Sequence, residues 1–330
     1  MSGCVLRGKR RRCSSARSGL TRCRSWRGVR GRIACRPRAI QAEPLLLQPL
    51  AVSWKGCTIR RRAGSRTVLR RAHPIRFERG TSSGRTEPSL VTCELDSGEE
   101  VEVVAKFSAG CFEGEVSLAM EVLAACLAAD LGLPIPEPFV LEVSPEWANT
   151  IPDAARRAKI LAGSPVAFGS RLAVGQFAAW NSGNQILDAM RPKAAGIFVF
   201  DAAIQNVDRR TSNPNCLVRG DDLIIFDHEL AFSHRLPLFG WIPPWRLGGL
   251  TCFEHGGHIF WSGLKGSNVD LSPIGATWAG LSDGRIADYE AAVPPEWANA
   301  APAVSVAAKL IRDARDNIDG VLAEVRRVLS

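Results

Sequence analysis

Apolar and polar residues alternate along Ser89-Leu90-Val91-Thr92-Cys93-Glu94-Leu95 and again along Glu100-Val101-Glu102-Val103-Val104-Ala105-Lys106-Phe107. Such period-two runs predict half-buried strands, and Asp96-Ser97-Gly98 supplies the turn that joins them as a hairpin. The spacing then changes to three and four. Val116, Met120, Leu123, Leu127 and Leu131 recur on one face of a helix predicted over 115–131, which Gly132 and Pro134 close. A Pro-rich stretch leads into 139–143, predicted as a strand at a sheet edge. A helical insert follows over about 145–161, then a further strand, Val166-Ala167-Phe168-Gly169-Ser170-Arg171.

A second apolar run, Gly196-Ile197-Phe198-Val199-Phe200-Asp201-Ala202-Ala203-Ile204, reads as a buried helix within 186–204. The polar Asp208-Arg209-Arg210-Thr211-Ser212-Asn213-Pro214-Asn215 cannot continue it, because Pro214 lacks an N–H and restricts Asn213 before it. That segment is a loop. Cys216-Leu217-Val218, the turn Arg219-Gly220-Asp221-Asp222 and Leu223-Ile224-Ile225-Phe226 then predict a tight hairpin whose second strand ends on Asp227. Apolar positions from Val306 to Val328 recur at helical spacing, so one or two amphipathic helices are expected over 304–329. Pro-Glu-Trp-Ala-Asn occurs at 145–149 and at 295–299, and it reads as two helix starts rather than a repeat.

Charge divides the chain more sharply than hydropathy does. The net charge of +9 conceals 20 Lys and Arg against one acid, Glu43, up to Arg71, whereas the remainder carries 22 basic and 32 acidic residues. Residues 1–65 are rich in Arg, Gly, Ser and Cys without sustained periodicity, so they are expected to form a disordered basic leader. Four readings of it stay open: a nucleic-acid-binding arm, a transit peptide, a solvated tail, or translation assigned too far upstream in GC-rich DNA. Nucleic acid is not expected as a partner except through this leader. Five of the ten cysteines lie in it, and Cys93, Cys111, Cys126, Cys216 and Cys252 are scattered through core-like segments. They read as buried free thiols of a reducing compartment. No apolar run reaches the roughly 20 residues a membrane span needs, so no membrane association and a cytoplasmic location are expected. His255-Gly256-Gly257-His258 near Cys252 lacks a further Cys or His pair, and zinc is not expected.

The loop and hairpin gather two carboxylates and amides at one edge of a small sheet. Transfer of a γ-phosphoryl group requires alignment and charge neutralisation more than covalent work: one Asp to orient or deprotonate the acceptor hydroxyl, and an Asp with an Asn to hold the metal bridging the phosphates. Asp208 suits the first role, and Asp227 with an Asn suits the second. Asn213 has the protein-kinase spacing, five residues after Asp208. Asn215 has the expected place at the start of the next strand and is preferred, with Asn213 its rival. Arg209 and Arg210 read either as stabilisers of phosphate charge or as exposed residues without a chemical role. His228 reads as structural.

Asn206-Val207-Asp208-Arg209-Arg210-Thr211, Asn213-Pro214-Asn215 and Phe226-Asp227-His228-Glu229 together resemble the HipA-like kinase domain family, distant relatives of the HipA toxin kinases. The resemblance runs from about Phe77 to about Ala231. It implies a protein-kinase-like fold and phosphorylation using ATP and Mg²⁺, with a protein Ser/Thr hydroxyl as the acceptor. It makes Lys106, after Val103-Val104-Ala105, the lysine that reaches the ATP phosphates. Glu121, following Met120, becomes its ion-pair partner, with Glu115 the fallback. Gly80, Ser82, Ser83 and Gly84 precede the Lys106 strand in a Gly/Ser-rich turn whose N–H groups suit phosphates. Gly169 and Ser170 fall where the family contacts the nucleotide base through backbone. The implied architecture is α+β and two-lobed: a leader over 1–65, a small antiparallel-sheet lobe over 66–170 and a mainly helical lobe over 171–330, where 239–280 packs and loops around an acceptor groove. The alternative function is a non-catalytic nucleotide-binding or regulatory module on the same fold.

Overall fold

Five strands, β1 (Arg70–Gly80), β2 (Ser89–Leu95), β3 (Glu100–Lys106), β4 (Pro138–Glu142) and β5 (Val166–Arg171), carry the alternating patterns. They close into a barrel in the order β1-β2-β3-β5-β4, and antiparallel pairing runs throughout except where β4 returns to β1 in parallel, Arg70 to Phe139 through Ala72 to Leu141. The computed structural model describes residues 69–81, 86–236 and 240–330. The leader therefore lies outside the described residues, and so do Ser82, Ser83 and Gly84.

Alternation decides what enters the barrel. Val91, Cys93 and Leu95 of β2 and Val101, Val103 and Ala105 of β3 face its interior together with Phe139, Leu141 and Ala167. Phe139 is fully buried, with the guanidinium groups of Arg70 and Arg171 5.7 and 5.6 Å from its ring centroid. Pro74 interrupts the β1 ladder, and the register with β2 shifts between Pro74 and Arg76.

Closure corrects one expectation and refines another: 139–143 is not a sheet edge, and the small, mainly antiparallel sheet closes into a barrel. β4 is paired on both sides, which leaves it no row of free N–H and C=O groups. Both of its faces are covered, Phe139 and Leu141 by the barrel interior and Val140 by a second hydrophobic cluster. A short run that is apolar on both faces has no period that separates an edge strand from a closing one.

That second cluster is built on α1 (Glu115–Asp130), which is buried at every residue from Ser117 to Ala128. Such a helix needs cover all round. Val140, Val166 and Phe168, on the outer face of the barrel, cover one side of it, and later helices cover the rest. The insert after β4 divides into α2 (Pro145–Asn149), capped by the Ser144 hydroxyl, and α3 (Ala154–Leu161), whose first amides donate to Asp153. Next come β6 (Ala178–Ala179) and α4 (Arg191–Ala203), the buried apolar run. β7 (Cys216–Arg219) and β8 (Asp222–Ile225) form the second hairpin and join β6 in a three-stranded sheet.

The chain finishes with α5 (Trp261–Leu264), α6 (Ser272–Ala279), α7 (Asp283–Ala291), α8 (Ala301–Asp316) and α9 (Ile318–Leu329), the last two being the amphipathic pair. The first Pro-Glu-Trp-Ala-Asn forms α2, and the second forms a 3₁₀ segment leading into α8. Of the five cysteines among the described residues, Cys93, Cys126 and Cys216 are buried, whereas Cys111 is half-buried and Cys252 exposed. Among the described residues no helix is long and apolar enough to cross a membrane.

Phe139 packs on both of its strand neighbours and fills the barrel, so Phe139→Ala should lower the unfolding free energy by about 3–5 kcal/mol. Val174→Ala, at an exposed position, should change it by less than about 0.5 kcal/mol. Urea unfolding followed by far-ultraviolet circular dichroism distinguishes the two, and equal losses would contradict the packing described.

Candidate active site

Lys106 ends β3 one residue after the inward-facing Ala105, so its side chain leaves the barrel on the opposite side, toward α1. There its buried ammonium lies 2.6 Å from Glu121 Oε1, 2.6 Å from Asp227 Oδ1 and 3.5 Å from Glu229 Oε2. Burial by itself would lower the pKa of that amine. The three carboxylates, Glu121 first, reverse this and hold it well above its ordinary value. Burial likewise pushes Glu121 up, and the Lys106 charge together with His228 outweighs it, so Glu121 stays ionised well below the usual carboxylate range. Glu115 takes no part: it opens α1, and its carboxylate accepts from Asn299 Nδ2 at 3.4 Å.

The loop after α4 starts with a tight reversal. Asn206 N–H donates to Asp201 O and Gln205 N–H to Ala202 O, the double bond of a Schellman cap, with Gln205 at φ +55° in the place glycine usually fills. Asp208 follows, and its Oδ2 accepts from Asn213 Nδ2 at 2.7 Å and from Asn215 Nδ2 at 3.3 Å. Both rival amides therefore meet the same carboxylate. Asn215 and Asp227 also have positive φ, +45° and +61°, and Asp227 sits just past the end of β8. Left-handed backbone at bulky residues is costly and persists only where surrounding contacts enforce it.

Arg209 provides that enforcement, and neither role expected for it from sequence is correct. It is fully buried and paired with Asp201 of α4, Nε to Oδ2 at 2.7 Å. Its Nη1 donates to the carbonyl of Asn215 and, at 3.1 Å, to that of Phe226, so one guanidinium holds the backbone just before β7 and just before Asp227. Its Nη2 donates to His228 Nε2 at 2.8 Å. Guanidinium has no acceptor, so the proton of His228 sits on Nδ1, which faces Glu121 Oε2 at 3.6 Å. The His228 amide donates to the same oxygen at 3.0 Å. A continuous polar chain thus runs Lys106, Glu121, His228, Arg209, Asp201. Arg210 is exposed, 3.8 Å from Asp208.

His258 completes the chain at the far end. Its Nε2 donates to Asp201 Oδ2 at 3.0 Å while Nδ1 accepts from the Phe260 amide at 3.2 Å. Both ring nitrogens are committed, so neither is free for a metal. Among the described residues no group of three or more His, Cys, Asp and Glu side chains is arranged to hold one.

The candidate cation ligands are therefore two carboxylates, Asp208 and Asp227, with the amide oxygens of Asn213 and Asn215. An all-oxygen set without imidazole or thiolate suits a hard divalent cation such as Mg²⁺. Burial raises the pKa of Asp208, and the nearby charge of Asp227 raises it further. A cation held between these two carboxylates would relieve their repulsion.

Gly80 ends β1 in contact with α3, where the Arg156 guanidinium occupies the space a side chain would need. Gly169 and Ser170 lie inside β5, paired to Ala105 and Val104 on one side and to Phe139 and Pro138 on the other. Their backbone groups belong to the barrel wall rather than to a free edge. Sequence reasoning missed Glu229, Asp201 and His258. Glu229 was within view two residues after Asp227; burial, opposed by Lys106 and reinforced by the Asp227 and Glu121 charges, raises its carboxyl to about 7. Asp201 carried a signal of its own, a single acid inside a fully apolar helix.

A family model described as HipA-like kinase matches residues 75–238, a span that contains Lys106, Glu121, Asp208, Asn213, Asn215 and Asp227. No curated protein and no solved structure matches the chain.

Arg209→Met should strand the Asp201 carboxylate in the core and cost about 3–5 kcal/mol of stability at neutral pH. In the native chain burial is overcome by Arg209 together with His258, so the Asp201 pKa is depressed, and its contribution is present above the unfolded carboxylate pKa and lost as the pH falls below it. Without the guanidinium the shift reverses and protonation relieves the penalty. The stability gap between the two proteins should then narrow between about pH 7 and about pH 4. A gap that stays constant in denaturant titrations at both values would refute the assignment.

Proposed function

The chain belongs to the HipA-like kinase family, and from this premise we propose that it transfers the γ-phosphoryl group of ATP to a hydroxyl acceptor with Mg²⁺. The observation that carries the proposal is the meeting of the Lys106 amine with Glu121 and Asp227, residues far apart in sequence, at 2.6 Å each. The barrel and the helical remainder act as two lobes, 66–170 and 171–330, with the nucleotide between them. The acceptor is a Ser or Thr hydroxyl of a protein, and the reaction takes place in the cytoplasm.

Within that reading Glu121 aims the Lys106 ammonium at the phosphate oxygens. Mg²⁺, when bound, neutralises and aligns the phosphates. Asp227 with Asn215 or Asn213 holds it there. Asp208, fixed by both amides, takes the acceptor's proton or orients its hydroxyl, and burial with the nearby Asp227 charge raises its carboxyl, which favours proton uptake. Arg209 never touches substrate; it sets the positions of Asn215 and Asp227 through their flanking carbonyls.

Two measurements test this. Mg²⁺ with ATP should raise the melting temperature of the full-length chain and yield ADP, and chelation of Mg²⁺ should abolish both. Asp227→Ala should reduce ADP formation at least about a hundredfold while nearly preserving the melting temperature of the free protein, because Lys106 keeps Glu121 and Glu229 as partners. An active Asp227→Ala protein would refute the metal role. A chain that neither binds nor consumes ATP would refute the reading altogether.

A further inference from the structure

An ammonium has three N–H donors and no acceptor. Those of Lys106 are used unequally: Glu121 Oε1 and Asp227 Oδ1 each lie at 2.6 Å, whereas Glu229 Oε2 lies at 3.5 Å. That third oxygen is buried and, among the described residues, accepts no hydrogen bond. A buried acceptor in this condition costs free energy, and native structures keep few of them. Glu229 is nevertheless firmly placed. Ala231 N–H donates to His228 O at 2.9 Å, closing a turn with Glu229 in its second position, and the His228 ring is fixed on Arg209. The backbone therefore sets a carboxylate beside Lys106 without giving this oxygen a bond of its own.

The three carboxylates around Lys106 differ in freedom. Glu121 is locked, because its Oε2 accepts from the His228 amide at 3.0 Å while its Oε1 holds the ammonium. Glu229 is enclosed, with its side chain 8% exposed, and Asp227 is the open one at 25%. In the phosphotransferase reading Asp227 gives its charge to Mg²⁺, and Lys106 turns one donor to a phosphate oxygen. An ammonium and a divalent cation on one carboxylate repel each other, so the 2.6 Å contact between Lys106 and Asp227 opposes metal binding. A shift of the ammonium by about 1 Å brings Glu229 Oε2 into hydrogen-bond range.

We infer that Glu229 is a positioning residue that receives the Lys106 ammonium when Asp227 takes up Mg²⁺. The inference rests on the phosphotransferase reading and extends it to a residue outside the metal and phosphate ligands. The donor count closes on both sides of the exchange. In the free chain Lys106 serves Glu121 and Asp227; in the loaded chain it serves Glu121, Glu229 and a phosphate oxygen. Without Glu229 a buried ammonium would lose a counter-charge as the cation arrives, which is costly in a site this enclosed. Glu229 itself touches neither metal nor nucleotide, and it sets how readily Asp227 is released.

Glu229→Gln removes the charge and keeps the shape. Mn²⁺ binding to the full-length chain with ADP, read from the loss of the free-ion electron paramagnetic resonance signal, should weaken at least about tenfold. ADP affinity without metal should be unchanged or tighter, because a negative charge near the phosphates has gone. A second measurement needs no variant: in a crystal structure of the native chain with Mg²⁺ and ADP, Lys106 Nζ should lie about 2.7–3.0 Å from Glu229 Oε2 and more than about 3.5 Å from Asp227. Mn²⁺ affinity unmoved by the substitution, metal-free ADP affinity falling along with it, Glu229 found on the metal itself, or Lys106 still on Asp227 in the loaded chain would each overturn the exchange and leave the phosphotransferase reading standing. Absence of Mg²⁺-dependent nucleotide binding by the native chain removes the two together.

Discussion

The buried pairing of Arg209 with Asp201 is the constraint on which the arrangement of the site depends. Removing two full charges from water is expensive, and their attraction repays the cost only when the remaining donors find acceptors as well. Every donor direction of the Arg209 guanidinium is used in this way, on Asp201, on the carbonyls of Asn215 and Phe226, and on His228. The ion pair therefore adds less to net stability than to the definition of geometry. It joins the last turn of α4 to two strand ends that would otherwise be independent.

Strain and charge meet at those strand ends. Gln205, Asn215, Asp227 and Phe232 all have positive φ within fewer than thirty residues, conformations that a free loop of such residues would leave. Asp201 holds Gln205 through the Asn206 amide, Arg209 holds Asn215 directly and Asp227 through the Phe226 carbonyl, and Ile204 holds Phe232. Held backbone keeps Asp208 and Asp227 close enough to repel each other. Lys106 then offsets part of the repulsion from the barrel side, with Glu121 and Glu229 balancing its charge. The five side chains are legible as one electrostatic unit only when the barrel, α1 and the second hairpin are all in place.

Much of this was visible in residue types and spacing. Alternation located β2 and β3 and placed Lys106 on the face opposite Ala105. Helical spacing located α1, and the Pro214 block with its flanking polar residues located the loop between Asp208 and β7. The candidate residues Lys106, Glu121, Asp208, Asn213, Asn215 and Asp227 were named from local chemistry and family resemblance, and the fold brings them together. Arg209 was misread because an Arg beside a loop Asp looks exposed when its partner, eight positions back, sits in an apolar helix. His258 was read only against a metal, because its carboxylate partner is 57 positions away.

By itself the sequence determined the elements and the chemistry they carry, because hydrophobic period, turn residues and Pro restrictions act within a few residues of chain. Tertiary structure alone decided that β4 closes a barrel, that Glu121 rather than Glu115 reaches Lys106, and that Arg209 is turned inward. Those outcomes depend on which distant groups share a buried volume. A buried charge accepts only a partner that the whole packing arrangement delivers, and no local pattern encodes that delivery.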